Sequence, residues 1–224
     1  MKINADLTQG VVVDTNTLEW TASPQEGVER RMLDRDGGEV ARATSIVRYA
    51  PGSSFPAHEH GGGEEFLVLE GVFSDEHGDY PAGTYVRNPI GSSHASFTAE
   101  GCTLLVKLRQ MTGPAEQRLV VDTNAVQWEQ ADVDGLERLP LFESEATGER
   151  VYLARFAPGA INPGDFHAGG EEVLVLEGIL DDEFGTYPKG TWLRQPDGSS
   201  HSPYSKLGCT LWVKRGHLPP VNPK

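Results

Sequence analysis

Apolar residues occur along this chain in short runs, and turn-forming residues interrupt the runs about every 8–12 positions. The runs are rich in β-branched and aromatic residues, a composition typical of strands. Examples are Thr44–Tyr49, Phe66–Leu69, Thr84–Arg87 and Thr103–Leu108. No segment sustains the 3.6-residue apolar period of a long helix, and the 26 glycines and 15 prolines suit many tight turns. The pattern predicts an all-β protein built as a sandwich or a barrel.

A histidine-rich segment of this strand pattern occurs twice, with a constant offset of 107 residues. The first copy, Gly52–Gly71, reads GSSFPAHEHGGGEEFLVLEG, and the second, Gly159–Gly178, reads GAINPGDFHAGGEEVLVLEG. A shorter segment follows each copy: GTYVRNPIGSSH at Gly83–His94 and GTWLRQPDGSSH at Gly190–His201. Histidine, carboxylate and glycine positions thus recur at fixed spacing, which indicates a metal ion as the organising centre.

The repeat extends beyond these motifs to the rest of the chain. The sequence VVDTN occurs at Val12–Asn16 and again at Val120–Asn124. Self-similarity over a fixed period indicates duplication of one structural unit. We therefore predict two tandem domains, at residues 11–110 and 119–217, joined by the short polar segment 110–117, QMTGPAEQ.

The first copy offers four candidate metal ligands. His58 and His60 are two residues apart, so both side chains point to one face of a strand. Glu64 opens the next strand after the turn Gly61–Gly63, and His94 comes from a later hairpin. Three neutral imidazoles and a carboxylate suit Zn²⁺, Fe²⁺, Mn²⁺ or Ni²⁺. We predict a metal site, the alternative being a pocket where the histidines only hydrogen-bond one another.

The second copy differs from the first at one ligand position. Asp165 stands in the place of His58, while His167, Glu171 and His201 are retained. Aspartate is shorter and adds negative charge, and a set of two imidazoles and two carboxylates favours Mn²⁺ or Fe²⁺ over Zn²⁺. We predict a second metal site here, and the alternative is a degenerate repeat retained for packing.

Polar residues near these motifs have less specific interpretations. We expect Glu65 to point away from the metal, because side chains alternate along a strand. His77 is interpreted as a loop residue, since Phe184 occupies its position in the second copy. Arg48 and Arg87 are predicted to lie on solvated strand faces, the alternative being a bidentate clamp for a carboxylate ligand.

Composition excludes several classes of function. The chain has 33 acidic and 19 Lys or Arg residues, giving a net charge of −14, which disfavours binding to nucleic acid and to anionic membranes. Its first ten residues include no apolar segment typical of a signal peptide, and no apolar run reaches about 18 residues, so we expect a soluble cytoplasmic protein. Cys102 and Cys209 occupy matching positions and are interpreted as reduced, semi-buried strand residues.

The motifs resemble those of a known superfamily. The first copy matches the two cupin signatures, G-x5-H-x-H-x3-E-x6-G and G-x5-P-x-G-x2-H, with Thr98 in place of the asparagine that usually closes the second. This resemblance implies two tandem jelly-roll (cupin) β-barrels. Over nearly the whole chain, twice, the wider pattern resembles the cupin domain of the ChrR anti-sigma factors. That family's cupin metal is typically zinc, and its ligands would here be His58, His60, Glu64 and His94.

The ChrR resemblance implies a regulatory role in the response to oxidants. In that family an N-terminal helical zinc domain inhibits an extracytoplasmic-function (ECF) sigma factor. This chain has no histidine before His58 and no cysteine before Cys102, so we expect it to be without that domain. An ECF sigma factor as partner therefore rests on the resemblance alone, and a homodimer is expected by analogy with other cupins.

The sequence is compatible with two further functions. One is a metal-dependent cupin dioxygenase acting on a small molecule, and the other is a bicupin that binds a small-molecule ligand without converting it. Four protein ligands complete a tetrahedral Zn²⁺ shell, whereas six-coordinate Fe²⁺ or Mn²⁺ would keep two positions for oxygen or substrate. The sequence identifies no catalytic residue and does not select the metal.

Overall fold

The computed structural model describes residues 1–112 and 117–221, so residues 113–116 of the predicted joining segment lie outside the described residues. Within these ranges the chain forms 21 strands and one short 3-10 helix, Thr15–Thr17. The strands are β1 (Lys2–Ile3), β2 (Val11–Asp14), β3 (Thr21–Ala22), β4 (Val28–Gly37), β5 (Ala41–Tyr49), β6 (Ser54–Glu59), β7 (Glu64–Asp75), β8 (Gly78–Pro81), β9 (Thr84–Asn88), β10 (Ser93–Phe97), β11 (Cys102–Leu108), β12 (Leu119–Asp122), β13 (Glu129–Gln130), β14 (Leu136–Glu143), β15 (Arg150–Phe156), β16 (Asp165–Phe166), β17 (Glu171–Asp181), β18 (Thr186–Pro188), β19 (Thr191–Gln195), β20 (Ser200–His201) and β21 (Cys209–Arg215). The predicted all-β class is confirmed.

The chain divides into two compact domains. The first domain contains residues 1–5 and 18–126, and the second contains residues 6–17 and those from 127 onwards. No helix among the described residues has both the length and the apolar character needed to cross a membrane.

The first domain is an antiparallel sheet with the strand order β1-β4-β5-β11-β7-β10-β6. Strands β8 and β9 also pair with β7, β3 pairs with β4, and β12 pairs with β9. Alternating apolar residues of these strands meet in one core: Val28, Tyr49, Phe66, Val68, Phe73, Tyr80, Val86, Cys102, Leu104 and Val106. Burying these side chains is the main favourable term for the domain.

The second domain repeats this plan. Its main sheet has the order β13-β14-β15-β21-β17-β19-β2, β18 pairs with β17, and β16 and β20 form a separate two-stranded sheet. Its core consists of Leu136, Ala154, Phe156, Ala160, Val173, Val175, Leu180, Tyr187, Leu193, Cys209, Leu211 and Val213. In neither domain does the strand order return to its first strand within the described ranges, so the sheets are not the closed barrels that the sequence predicted.

Two equivalent strands are exchanged with respect to the order of the repeats. Strand β2 pairs with β19, with Val13 opposite Trp192, and so belongs to the second domain. Strand β12 pairs with β9, with Val120 opposite Val86, and belongs to the first. The compact domains therefore differ from the predicted bounds of 11–110 and 119–217 at these two strands.

The long strand β7 carries polar residues at both of its ends. Within the strand, Gly71 has a φ of +73°, and a Cβ there would collide with the Gly101 carbonyl oxygen. Only glycine tolerates this combination of positive φ and close backbone approach. The first and last residues of the strand, Glu64 and Asp75, are both buried in the first domain.

The two cysteines lie at equivalent positions of β11 and β21. Cys102 and Cys209 are each 5% exposed, and neither forms a disulfide. Burial raises the pKa of each thiol to about 11, which lowers the population of the reactive thiolate near neutral pH.

We expect both thiols to react with a disulfide reagent about 100-fold more slowly in the folded protein than in concentrated guanidinium chloride, since the thiolate is scarce and the sulfur inaccessible. Stopped-flow release of the thiol chromophore measures this directly. Rapid modification of either cysteine while the circular dichroism spectrum stays native would contradict the buried positions.

Candidate metal centres

The first predicted ligand set converges in the structure. His58 lies on β6, His60 follows that strand, Glu64 opens β7 and His94 lies on β10, directly opposite His58. One ligand atom from each of the four residues lies within 4.8 Å of all the others. The Nε2 atoms of His60 and His94 are each 3.6 Å from Oε1 of Glu64. The antiparallel register of β6 and β10 therefore brings together residues that are far apart in sequence.

Hydrogen bonds at Nδ1 orient all three imidazole rings of the first set. His58 Nδ1 lies 2.9 Å from the Pro56 carbonyl oxygen, and His94 Nδ1 lies 3.1 Å from Oδ2 of Asp75. His60 Nδ1 lies 3.0 Å from Oγ of Ser92. The Pro56 carbonyl oxygen can only accept a hydrogen bond, and so can the Asp75 carboxylate when it is ionised. The Ser92 hydroxyl already donates its proton to the Pro89 carbonyl oxygen, so it accepts from His60. Each ring therefore carries its proton on Nδ1, and the Nε2 lone pairs face the cluster.

The electrostatics of His60 suit a metal ligand. Burial lowers the pKa of His60 below its ordinary value, although the neighbouring Glu64 carboxylate acts in the opposite direction. A neutral imidazole is the form that binds a metal. Among the described residues, Nε2 of His60 is buried with no hydrogen-bond partner. Buried polar atoms are rarely left unsatisfied, and a divalent cation among the four ligand atoms would satisfy this one.

A network around Asp75 supports the cluster from outside. Asp75 accepts hydrogen bonds from the Tyr80 hydroxyl at 2.7 Å and from the His77 backbone N–H at 2.8 Å, and pairs with Arg118 at 3.3 Å. Burial alone would raise the pKa of Asp75, but the Tyr80, His77 and His94 hydrogen bonds and the Arg118 charge bring it below the ordinary value. The carboxylate is therefore ionised and holds the His94 ring.

The same arginine reaches the glutamate of the cluster through an amide. Arg118 Nε donates to Oδ1 of Asn88 at 2.9 Å, and Asn88 Nδ2 donates to Oε1 of Glu64 at 3.1 Å. Arg118 directly precedes the exchanged strand β12. Because β12 belongs to the first domain, the Arg118 guanidinium lies next to the residues that hydrogen-bond the ligands of the first cluster.

We expect Asp75→Asn to weaken divalent-metal binding by about 10–100-fold, because the neutral amide no longer polarises the His94 ring. Competition against a chromophoric chelator measures the affinity. The matched control is Glu76→Gln, an exposed neighbour whose carboxylate accepts the Ala95 backbone N–H. Equal affinities of the two variants would remove Asp75 from the ligand-orienting role.

The second predicted set also converges. One ligand atom each from Asp165, His167, Glu171 and His201 lies within 4.8 Å of the others, and Asp165 on β16 stands opposite His201 on β20. His167 Nε2 is 3.7 Å from Oδ2 of Asp165 and 3.5 Å from Oε1 of Glu171. His201 Nε2 is 3.8 Å from the same Glu171 oxygen. Both clusters thus have a geometry that can hold a metal ion.

The imidazoles of the second set are oriented as in the first. His167 Nδ1 lies 3.1 Å from Oγ of Ser199, and His201 Nδ1 lies 2.9 Å from Oδ2 of Asp182. Burial alone would raise the pKa of Asp182, but the His201 hydrogen bond and further hydrogen bonds from the following turn lower it. Within the described residues, Nε2 of His167 and of His201 are buried without a hydrogen-bond partner.

Within the part of the chain that the structure describes, the second set has an arginine contact that the first set does not have. Arg215 Nη2 lies 2.7 Å from Oδ1 of Asp165, and its Nε lies 2.9 Å from Oε2 of Glu171. Burial alone would raise the pKa of Asp165, but the His167 hydrogen bond and the Arg215 charge lower it to about 2. The equivalent of Arg215 in the first domain is Leu108, the last residue of β11.

Glu65 and Arg87 are both buried, which the sequence analysis did not expect of Arg87. They form a buried ion pair at 2.9 Å, with side chains 3% and 1% exposed, and Glu65 also accepts the Tyr85 hydroxyl at 2.8 Å. Glu65 does point away from the ligands, but the prediction of a solvated face for Arg87 was wrong. Arg48 is on a solvated face as predicted, with its side chain 46% exposed, and His77 lies in an exposed turn.

Sequence analysis missed the residues that orient the ligands. The serines and aspartates on Nδ1 are identical in both copies: Ser92 and Ser199, and Asp75 and Asp182. That identity was an available signal for these four residues. Arg118 and Arg215 have no equivalent in the other copy, so the repeat gave no signal for them.

The geometry agrees with the comparison to known families. A family model described as ChrR Cupin-like domain matches residues 8–112 and, a second time, residues 116–219. The chain belongs to the ChrR cupin-like family. The predicted resemblance is confirmed, and this ChrR cupin-like protein carries the family domain twice. A search of curated proteins finds no match.

Solved structures share the fold of this ChrR cupin-like protein at low sequence identity. A candidate dioxygenase from Nostoc punctiforme is 19% identical, with a TM-score of 0.79 over 97% of this chain and 88% of its own. The Ylba protein of E. coli is 17% identical, with a TM-score of 0.70 over 94% and 92%. The pirin YhhW of Escherichia coli, in complex with nickel(II), is 14% identical, with a TM-score of 0.70 over 95% and 100%. These similarities show a shared fold, and the two matches of the family model identify it as two tandem cupin-like domains.

Proposed function

We propose that this protein binds one divalent metal ion in its first domain, through His58, His60, Glu64 and His94, and acts as a regulatory, stress-sensing cupin. The observation that carries metal binding is the orientation of the three imidazoles. Each Nδ1 is held by an acceptor, so three Nε2 lone pairs and a carboxylate face one point. A binding site whose ligand atoms are already oriented toward one point lowers the cost of capturing an ion.

Zinc is the ion that this donor set supports best. Three neutral imidazoles and one carboxylate give four ligands, which is the number that completes a tetrahedral Zn²⁺ shell. Iron, manganese and nickel accept the same donors, and the nickel(II) complex of the pirin relative makes nickel a reasonable second choice. When bound, the ion supplies a Lewis-acid centre that crosslinks three strands.

The regulatory role rests on the family. A zinc shell completed by protein ligands leaves no position for a substrate, which is the character of a structural or sensory site. The ChrR cupin-like family membership favours sensing over catalysis, and an ECF sigma factor is the partner that the resemblance proposes. Occupancy of the first domain would then be the signal that changes the protein's stability or its affinity for a partner.

A metal-dependent dioxygenase is the second candidate, and one observation favours it. His58 is half-buried, whereas His60, Glu64 and His94 are buried, so the cluster is accessible from one side. Six-coordinate Fe²⁺ or Mn²⁺ on four protein ligands would keep two positions for small molecules on that side. A structural relative is a candidate dioxygenase, which is consistent with this alternative.

Metal content separates these functions. We expect plasma mass spectrometry of protein purified without added metal to find about one zinc per chain. Bound iron or manganese, together with oxygen uptake in the presence of small diketones or phenolic ketones, would replace the regulatory proposal by the enzymatic one. Less than about a tenth of an ion per chain after equilibration with zinc, iron, manganese and nickel would overturn metal binding itself.

A further inference from the structure

We propose that Arg215 supplies, in the second domain, the positive charge that a metal ion supplies in the first. The two carboxylates of the second cluster then pair with this side chain in place of a metal ion. The inference rests on the proposed function, because it compares the second cluster with a metal-binding first one. It assigns the resident ion to the first domain and makes the second a metal site that one side chain blocks.

The contacts of Arg215 carry the argument. Its guanidinium binds both carboxylates of the set, through Nη2 to Asp165 at 2.7 Å and through Nε to Glu171 at 2.9 Å. Nη2 also lies 3.4 Å from the Phe166 carbonyl oxygen. The Arg215 side chain is only 18% exposed, so solvent screens these contacts weakly. Charge-assisted hydrogen bonds of this kind are the strong ones in proteins.

The charge balance differs between the two clusters. In the first, Glu64 is the one carboxylate of the set, and it accepts a hydrogen bond from the neutral amide of Asn88. The nearby cation, Arg118, directs its charge to Asp75 outside the set. In the second, two carboxylates of the set pair directly with Arg215. A divalent ion entering the second cluster would therefore meet a fixed positive charge on the same carboxylates.

The two sequence differences between the clusters fit together. His58 in the first domain corresponds to Asp165 in the second, and Leu108 corresponds to Arg215. Leu108 lies opposite Glu64 in the strand register, and Arg215 lies opposite Glu171. The additional carboxylate and its counter-ion therefore appear in the same cluster. Without Arg215, the half-buried Asp165 and the buried Glu171 would be two carboxylates side by side, a costly arrangement unless a cation joins them.

The test uses Arg215→Leu, which introduces the residue type that the first domain has at this position. In the His60→Ala background, where the first site is disabled, we expect about 0.1 zinc per chain or less while Arg215 is retained, and about one zinc per chain once Arg215→Leu is added. The expected gain in zinc affinity is about 100-fold or more, because a like charge beside the ion is removed. Zinc competition titration and thermal denaturation in zinc or EDTA are the readouts.

A second variant guards against simple misfolding. Asp165→His combined with Arg215→Leu removes the second carboxylate together with its counter-ion, so that Glu171 is the one carboxylate left in the set. The two positions then carry histidine and leucine, as His58 and Leu108 do in the first domain. We expect this variant to fold without metal and to bind zinc in the His60→Ala background. It serves as the matched control for Arg215→Leu, whose metal-free form is expected to melt earlier and to recover in zinc.

Each other outcome has one interpretation. If His60→Ala alone retains one zinc per chain and Arg215→Leu loses it, Arg215 orients metal ligands and the inference is overturned. If neither Arg215→Leu nor Asp165→His with Arg215→Leu gains zinc, the charge of Arg215 is not what excludes the ion, and the inference is again overturned. If the unmodified protein binds no zinc while the variant with Asp165→His and Arg215→Leu does, the proposed function fails in the first domain and the inference about Arg215 stands.

Discussion

Replacing His60 by alanine is expected to remove the metal from the first domain. Metal content should fall from about one ion per chain to about 0.1 or less, because the loss of a ligand exceeds the roughly 10–100-fold effect of losing an outer partner. His60 is the ligand whose buried Nε2 has no hydrogen-bond partner among the described residues, and burial lowers its pKa. Plasma mass spectrometry after gel filtration measures the loss.

Two controls make this result specific. His77→Ala removes a histidine from an exposed turn and should leave metal content unchanged. His167→Ala removes the equivalent ligand of the second domain and should lower metal content less than His60→Ala does. An equal loss in the two domains, or no loss in either, would count against the assignment of the first cluster as the main site.

Replacing Arg87 by methionine is expected to have the largest effect on stability. The change removes the arginine that pairs with the buried Glu65 carboxylate, which lies beside Tyr85. Removing one member of a buried pair costs about 3–5 kcal/mol, which is a large share of the stability of a domain of ordinary size. Urea denaturation followed by circular dichroism measures the free energy of unfolding of the first domain.

Arg48→Gln is the matched control for the Arg87 variant. Arg48 lies in the same domain and pairs with Glu29, but the two side chains are 46% and 42% exposed. It also stacks over Trp20 at 4.2 Å, and we expect its loss to cost about 1 kcal/mol or less. Similar losses in both variants would indicate that the burial of the Arg87 pair has no energetic consequence.

The convergence of three of the four ligands could be predicted from the sequence because it depends on local spacing. His58 and His60 are two residues apart and so point to the same face of a strand. The glycine turn that follows reverses the chain direction before Glu64, so the positions of three of the four ligands follow from two neighbouring strands. The duplication supplied an independent check, since the same spacing recurs with Asp165 in the first position. Short-range geometry of this kind is visible in one sequence.

The outer partners depend on long-range pairing and could not be predicted in the same way. Arg118 reaches Asp75 and Asn88 because β12 pairs with β9 across the repeat boundary, whereas the order of the repeats in the sequence placed β12 in the second domain. Arg87 was misplaced for a related reason: alternation gives the face of a strand, but not whether another layer covers that face. Its burial depends on tertiary packing around Glu65.

The exchange of β2 and β12 has a consequence for how the protein is made. Translation produces β2 near its start, yet its pairing partner β19 leaves the ribosome only near the end of synthesis, so β2 stays unpaired through most of elongation. The first domain, by contrast, is completed by β12 soon after its own repeat ends. Fragments cut at the repeat boundary would each carry one orphan strand and lack another, a state that invites intermolecular pairing. Dissection of this chain into separate proteins therefore requires a cut after residue 126 together with the transfer of residues 6–17 to the second fragment.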